Sequence, residues 1–208
     1  MKEARGADPT KLTERFGNAM AEALRLHGRQ ERKGSRVPYL GHLLGTAALV
    51  VHFNGDEDQA IAALLHDAAE DQGGRPTLES IRAQFGDRVA RIVEGCTDTF
   101  EEEKPPWRPR KEAYLEALLH KDEDVLLVSA ADKLDNARAI VADLRALGNE
   151  VWARFKGGRE SLWYYRELAK VFGQRSEALP RWASLRAIAE ELDSAVTEME
   201  RLASTGSR

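Results

Sequence analysis

Apolar residues return at steps of three and four along almost the whole chain, and this spacing narrows the fold more than any other feature. Phe16, Met20, Ala23, Leu24 and His27 mark one face of a helix over roughly Thr10–Arg29. Gly34–Val37 reads as a connector. Pro38 suits a first helical position, and a second helix runs to about Phe53, where Asn54-Gly55 stops it. Asp56 stands where an N-cap belongs, ahead of a helix carrying DQAIAALLHDAAED. Gly73-Gly74 and Pro76 break the chain. Thr77 and Ser80 open a short helix ending near Phe85-Gly86, and Asp87 caps another through about Gly95. The proline-rich, mixed-charge stretch Thr97–Pro109 reads as an exposed loop. Helices resume at about Arg110–His120, Asp122–Leu147 and Gly158–Phe172. A last helix covers about Leu179–Leu202, with a fraying tail Ala203–Arg208. Strand-type alternation is scarce, because VLLV at 125–128 runs directly into the helical SAADKLDNARAI. The expected fold is all-α, a helical bundle.

The length of 208 residues fits one domain over 1–208, with a core of about 10–175 and the C-terminal helix of about 179–202. A single cysteine, Cys96, excludes an internal disulfide and suits a reducing, cytoplasmic setting as a small buried hydrophobe. No stretch approaches the roughly 20 apolar residues of a membrane span. A net charge of −4 gives no basic footprint for nucleic acid, although Arg29, Arg32 and Lys33 form a local basic patch. Neither a phosphate-binding GxxxxGK[ST] loop nor a GxSxG nucleophile motif is present.

The candidate chemistry begins at His66-Asp67, which ends the apolar run AIAALL. An imidazole and a carboxylate side by side near a helix end can meet on one ion that accepts nitrogen and oxygen. A His–Asp cap would look the same. Glu70 and Asp71 follow three and four residues after Asp67, on the same face if the helix persists. Three carboxylates so close repel unless a cation sits among them or one holds a proton. His42 interrupts an otherwise apolar helix, where core histidines are also common. Asp132 continues the apolar run VLLVSAA and needs a partner if buried, either a metal or a basic residue such as Lys133 or Arg138 folding back. Trp163, Tyr164 and Tyr165 follow helical spacing and suit core packing better than purine stacking. Trp107 suits either a lid or a pin for its loop.

In the order His42, His66-Asp67, Asp132, these residues resemble the HD-domain phosphohydrolase superfamily. The finer likeness is to the hydrolase domain of the Rel/Spo alarmone enzymes and their small stand-alone relatives. It is carried by HGRQERKGSRVPYLGHLL, IAALLHDAAED, FGDRVARIVEGCTD and VSAADKLDNARAI, over about Leu24–Val141. The resemblance implies a helical bundle, a divalent transition metal (usually manganese) and removal of the 3′-pyrophosphate of (p)ppGpp. It makes His42, His66, Asp67 and Asp132 metal ligands and gives Glu70 and Asp71 the attacking water. Arg32, Lys33 and Asn136 become substrate contacts, Asn136 lying one helical turn beyond Asp132.

The chain departs from that pattern at several substrate-reading positions. Asp135 stands where His is common, Ala139 where Thr is common, Gly34 where a polar residue is common, and Arg29 where Gly is common. The metal set is intact and the substrate set partly changed. Three readings therefore stay open beside the pyrophosphohydrolase. They are a phosphatase for another nucleotide (a deoxynucleotide monophosphate or the 2′-phosphate of NADPH), a non-catalytic nucleotide sensor, and a structural helical protein with internal pairs. Self-association is open as well.

Overall fold

The computed structural model describes residues 11–100, 105–178 and 183–205. Ten α-helices follow one another: α1 Glu14–His27, α2 Leu40–His52, α3 Glu57–Leu65, α4 Ala68–Asp71, α5 Gly74–Phe85, α6 Asp87–Cys96, α7 Trp107–Leu118, α8 Glu123–Leu147, α9 Ser161–Ala178 and α10 Ala183–Thr205. Among the described residues there is no strand, only an isolated bridge between Glu31 and Pro38. The all-α expectation holds. No helix of the described residues is long and apolar enough to cross a membrane.

Two helices form the centre. Every residue of α3 from Gln59 to Leu65 is buried, as befits a short helix that is apolar on all sides. Helix α8 buries 13 of its 25 residues and packs on α2, α3, α6, α9 and α10. Leu64, Leu65, Leu126, Leu127 and Leu134 are among the largest wholly buried side chains of one continuous apolar cluster. Leu126→Ala is therefore expected to destabilise the fold by about 2–5 kcal/mol, read as a lower urea midpoint at unchanged slope. Cys96 is a buried free thiol with Sγ 3.5 Å from Ser129 Oγ, as expected of a small core residue.

Capping sets several boundaries. Asp56 and Gln59 form a reciprocal capping box at the start of α3, and Asp122 caps α8 through the Val125 N–H. Thr13, whose side chain accepts from the Arg15 N–H, starts α1 later than Thr10. Asn54, at φ 57, closes the turn after α2. Arg88 ties Asp56 and Asp58 at the start of α3 to Asp124 of α8.

Four local expectations are corrected. Pro38 does not open α2. Gln30–Arg32 and Val37–Tyr39 pair across a tight turn (Tyr39 N–H to Gln30 O, 2.8 Å; Arg32 N–H to Val37 O, 2.9 Å), and α2 starts two residues later. Pro76 and Pro109 do not lie outside helices; each is the third residue of its helix, α5 or α7. The first-turn N–H groups have no helical acceptor, so a proline there forfeits nothing. Trp107 consequently belongs to α7 and packs on Trp163, Tyr164 and Gly157, where a β-carbon would meet the indole at 2.5 Å. It is a pin in this structure; residues 101–104 of the expected loop lie outside the described residues. Finally, of the expected frayed tail Ala203–Arg208, residues 203–205 are helical, and 206–208 lie outside the described residues. Ala203 is wholly buried, and its carbonyl accepts from Asn149 Nδ2 and Arg159. The 3-10 segment Gly148–Arg154 that supplies Asn149 had no signal in the periodicity.

Candidate functional site

Helix α3 ends at Leu65, and the chain turns through His66 and Asp67 before α4 completes a single turn. That break matters, because neighbours on an unbroken helix point about 100° apart. With Asp67 at φ −95, ψ −3, its carboxylate returns toward the imidazole, and His66 Nε2 lies 3.0 Å from Asp67 Oδ2. His42 arrives from α2, with Nε2 3.8 Å from the same oxygen. His42, His66 and Asp67 bring ligand-type atoms within 4.8 Å of one another. Asp132 joins from α8, with Oδ1 3.3 Å from His42 Nε2 and 3.6 Å from His66 Nε2.

Three of these four separations fit one shared ion directly, and the fourth, His42 Nε2 to Asp67 Oδ2 at 3.8 Å, is slightly wider. Bonds of about 2.0–2.2 Å to nitrogen and oxygen place neighbouring donors roughly 3.0–3.6 Å apart. Hydrogen bonding agrees. His66 Nδ1 lies 2.8 Å from Ala63 O, and His42 Nδ1 lies 2.7 Å from Asp135 Oδ2. A carbonyl and a carboxylate only accept, so in each neutral ring the proton sits on Nδ1 and the Nε2 lone pair faces the cluster. Both Nε2 atoms are buried with no hydrogen-bond partner. Two orphaned lone pairs beside two carboxylates suit a divalent cation of borderline softness.

The electrostatics call for positive charge at the same place, which the histidines themselves take up when no ion supplies it. Burial disfavours an imidazolium at His66, yet Asp67 and Asp132 outweigh it and hold its pKa well above the usual value. Burial likewise opposes charge at His42, where Asp132 and Asp135 prevail and raise the pKa. Burial opposes ionisation of Asp67, but the facing His66 pulls its pKa below the ordinary carboxylate range. Asp132 is drawn well below that range by Lys133 and both histidines, against its own burial. The carboxylates thus stay ionised and demand positive charge between them. Of the two basic partners considered for Asp132, Lys133 does fold back, with Nζ 2.5 Å from Oδ2, while Arg138 pairs with Glu191 across the surface. Asp132 thus turns Oδ2 to the lysine and Oδ1 to the two histidines.

Beyond the cluster, Asn136 Nδ2 donates to Asp132 Oδ1 at 2.6 Å, and Arg32 donates to Asn136 Oδ1 at 2.8 Å and to Asp135 Oδ2 at 3.2 Å. The structure therefore brings Arg32 and Asn136 to the metal-type set. Lys33 is exposed and stands outside this network. Glu70 and Asp71 sit on α4 directly after Asp67. Glu70 Oε2 accepts from the Asp98 N–H at 3.2 Å, and Asp71 Oδ2 accepts from Gln30 Nε2 at 2.9 Å. Asp98 is itself held by Arg110 and Lys111 from α7, which fixes the strand of chain that meets Glu70.

Three site residues were not picked out by sequence reasoning. Tyr39 donates its hydroxyl to Asp67 Oδ2; burial and the Asp67 charge push its pKa far up, so it remains a donor. Its position three residues before His42 was the only available signal. Gln30 bridges His27 Nδ1, Asp71 and Gln72. Asp135 was visible only as an unusual residue beside Asn136, and it proves to be the partner of His42.

A family model described as an HD domain matches residues 19–163, most of the chain. The chain is 38% identical over 130 residues to a Xenopus tropicalis protein named guanosine-3′,5′-bis(diphosphate) 3′-pyrophosphohydrolase MESH1, covering 61% of this chain and 68% of that one. It is 36% identical over 137 residues to the Homo sapiens MESH1, covering 64% and 72%. The solved structure of a metazoan ortholog of SpoT superposes with a TM-score of 0.67 at 24% identity, over 92% of this chain and 97% of the other, which shows the shared fold. With the H…HD…D set converging as described, the chain belongs to the HD-domain family of metal-dependent phosphohydrolases.

Proposed function

We propose that this enzyme removes the 3′-pyrophosphate of guanosine-3′,5′-bis(diphosphate), using a divalent transition metal, most simply Mn2+, held by His42, His66, Asp67 and Asp132. The observation that carries the reading is the pair of buried, partnerless Nε2 atoms facing Asp67 and Asp132. The MESH1 relatives are named for this reaction. His42, His66, Asp67 and Asp132 would hold the ion, and their two carboxylates would balance its charge.

When bound, the ion supplies Lewis-acid polarisation of a phosphoryl oxygen. The chain supplies the remainder. Glu70, held by the Asp98 N–H, accepts the proton of the attacking water, and Asp71, held by Gln30, helps align that water. Water adds to the phosphorus attached to the 3′-oxygen. The bond from phosphorus to that oxygen breaks, the ribose hydroxyl regains a proton, and pyrophosphate leaves. Arg32 takes phosphate oxygens through a planar fork, and Lys33, exposed at the rim, contributes as a point charge once substrate is present. Asn136 contacts the ribose or base from one turn beyond Asp132. Lone buried Cys96 and one continuous core support a cytoplasmic enzyme working as a single domain.

A second reading keeps the metal site and changes the nucleotide. It is favoured by Asp135, a carboxylate beside Arg32 and Asn136 that alters the charge met by an incoming phosphate. The deciding experiment measures phosphate and pyrophosphate released from guanosine bis(diphosphate), NADPH and deoxynucleotides with added Mn2+. Pyrophosphate from the first, lost in His66→Ala, is the expected outcome. Inorganic phosphate from another member would reassign the substrate. Metal binding without turnover of any member would sink the enzyme reading in favour of a nucleotide sensor.

A further inference from the structure

The two histidines of the site are held in different ways. His66 leans on Ala63 O, a main-chain carbonyl that no side-chain substitution removes. His42 leans on Asp135 Oδ2, a side chain 93 residues away on α8. An imidazole can rotate about its own axis, and its Nε2 faces the shared ion only while something holds Nδ1. For His42 that something is a single carboxylate.

The surroundings are shaped to receive it. Gly45 lies three residues after His42 on α2, close to one turn along the same face. A β-carbon at Gly45 would collide with Asp135 Oδ1 and stand 3.1 Å from its Cγ. The carboxylate therefore sits in a notch made by the missing side chain of one α2 residue and is bonded to the imidazole of another. The same Oδ2 also accepts from Arg32, but that contact is longer, 3.2 Å against 2.7 Å. The Asp135 side chain is 21% exposed, whereas that of His42 is wholly buried. The oxygen is thus turned inward, to the imidazole, while its flank meets the substrate-facing arginine.

We propose that Asp135, seated on Gly45, is a positioning residue for the metal: it holds His42 with Nε2 aimed at the ion and strengthens that nitrogen as a donor. This rests on the metal-site reading above and adds a residue to it. The carboxylate that departs from the family pattern beside Asn136 thus serves the metal side of the site in addition to standing beside Arg32. A carboxylate on Nδ1–H increases the basicity of the opposite nitrogen, and losing such a partner weakens metal binding by about 10–100-fold.

The test uses the full chain stripped of metal and titrated with Mn2+, free ion being read by electron paramagnetic resonance. Asp135→Ala is expected to raise the Mn2+ dissociation constant by about 10–100-fold. Asp135→Asn keeps an oxygen for the Nδ1 proton but loses the charge, so its loss should be smaller than that of the alanine variant and still measurable. Gly45→Ala keeps the Asp135 carboxylate in the chain but crowds it off its seat, so it too should weaken Mn2+ binding. These two variants decide the matter should Asp135→Ala fail to fold. If wild type binds Mn2+ and all the folded variants bind within about threefold of it, well short of the outer-shell effect, the inference fails while the metal site stands. A rise in KM for nucleotide with unchanged Mn2+ affinity would mean that Asp135 serves Arg32 alone, which also overturns it. Wild-type protein that takes up no Mn2+ overturns the metal reading and this inference together.

Discussion

His66→Ala is expected to empty the metal site and to lower kcat/KM for pyrophosphate release by about 10³-fold or more, since Lewis-acid stabilisation contributes several kcal/mol and each 1.4 kcal/mol or so is a factor of ten. The residue has no understudy. Its Nε2 lies 3.0 Å from Asp67 Oδ2 and 3.6 Å from Asp132 Oδ1, and its ring is set by Ala63 O. Removing the ring deletes one nitrogen ligand and leaves two ionised carboxylates facing each other in a buried pocket, an arrangement that disfavours folding as well as metal uptake. Metal content and turnover, measured on protein whose helical circular dichroism matches wild type, check the result. Full turnover with no bound metal would sink the metal mechanism. Loss of both, with the helical signal kept, is what the geometry requires.

Glu70→Gln should separate metal binding from chemistry. The amide has the shape of the acid and can still accept from the Asp98 N–H, which in wild type meets Glu70 Oε2 at 3.2 Å. It cannot take a proton from water. A fall in kcat of about 10²–10⁴-fold is expected, with Mn2+ affinity and KM little changed. That pattern marks an interaction made only in the transition state. Should kcat stay within about threefold of wild type, far from the usual general-base effect, the proton goes elsewhere. Asp71, one residue on and held by Gln30, would then be the group to replace. The Asp98–Arg110–Lys111 cluster gives Glu70 its fixed position, so the test reads a proton acceptor and not a floppy side chain.

Much of the fold was legible because it is written locally. The three-to-four spacing located most of the helices, and Asp56 acts as the cap that its sequence position suggests, whereas Asp87, also expected to cap, is the first residue of α6 after Gly86. The misplaced boundaries have a common cause. Pro76 and Pro109 look like breakers, yet the first turn of a helix tolerates proline, and only the position of the preceding residues tells which case applies. The end of α10 was misjudged because the small and polar residues after Leu202 give no local helix signal, while Ala203 is buried and its carbonyl is held by Asn149 and Arg159, about fifty residues away.

The candidate site divides in the same manner. His42, His66, Asp67 and Asp132 were legible as candidates from residue type, but each had a common alternative as a core or capping residue, and it was their order, matched to a family pattern, that singled them out. Glu70 and Asp71 followed from their distance to Asp67. What the sequence could not determine is which atoms face which. The break after Leu65 that turns His66 and Asp67 onto one point, the fold-back of Lys133 onto Asp132 and the Tyr39 hydroxyl on Asp67 all depend on how α2, α3 and α8 pack. Asp135 is the clearest case: from its neighbours it reads as a changed substrate contact, and only the crossing of α8 over Gly45 makes it the partner of His42. Helix formation and residue chemistry are local and survive in a one-dimensional pattern, whereas hydrogen-bond partners and charge balance belong to side chains far apart in sequence that only tertiary packing brings within 3 Å or so of each other.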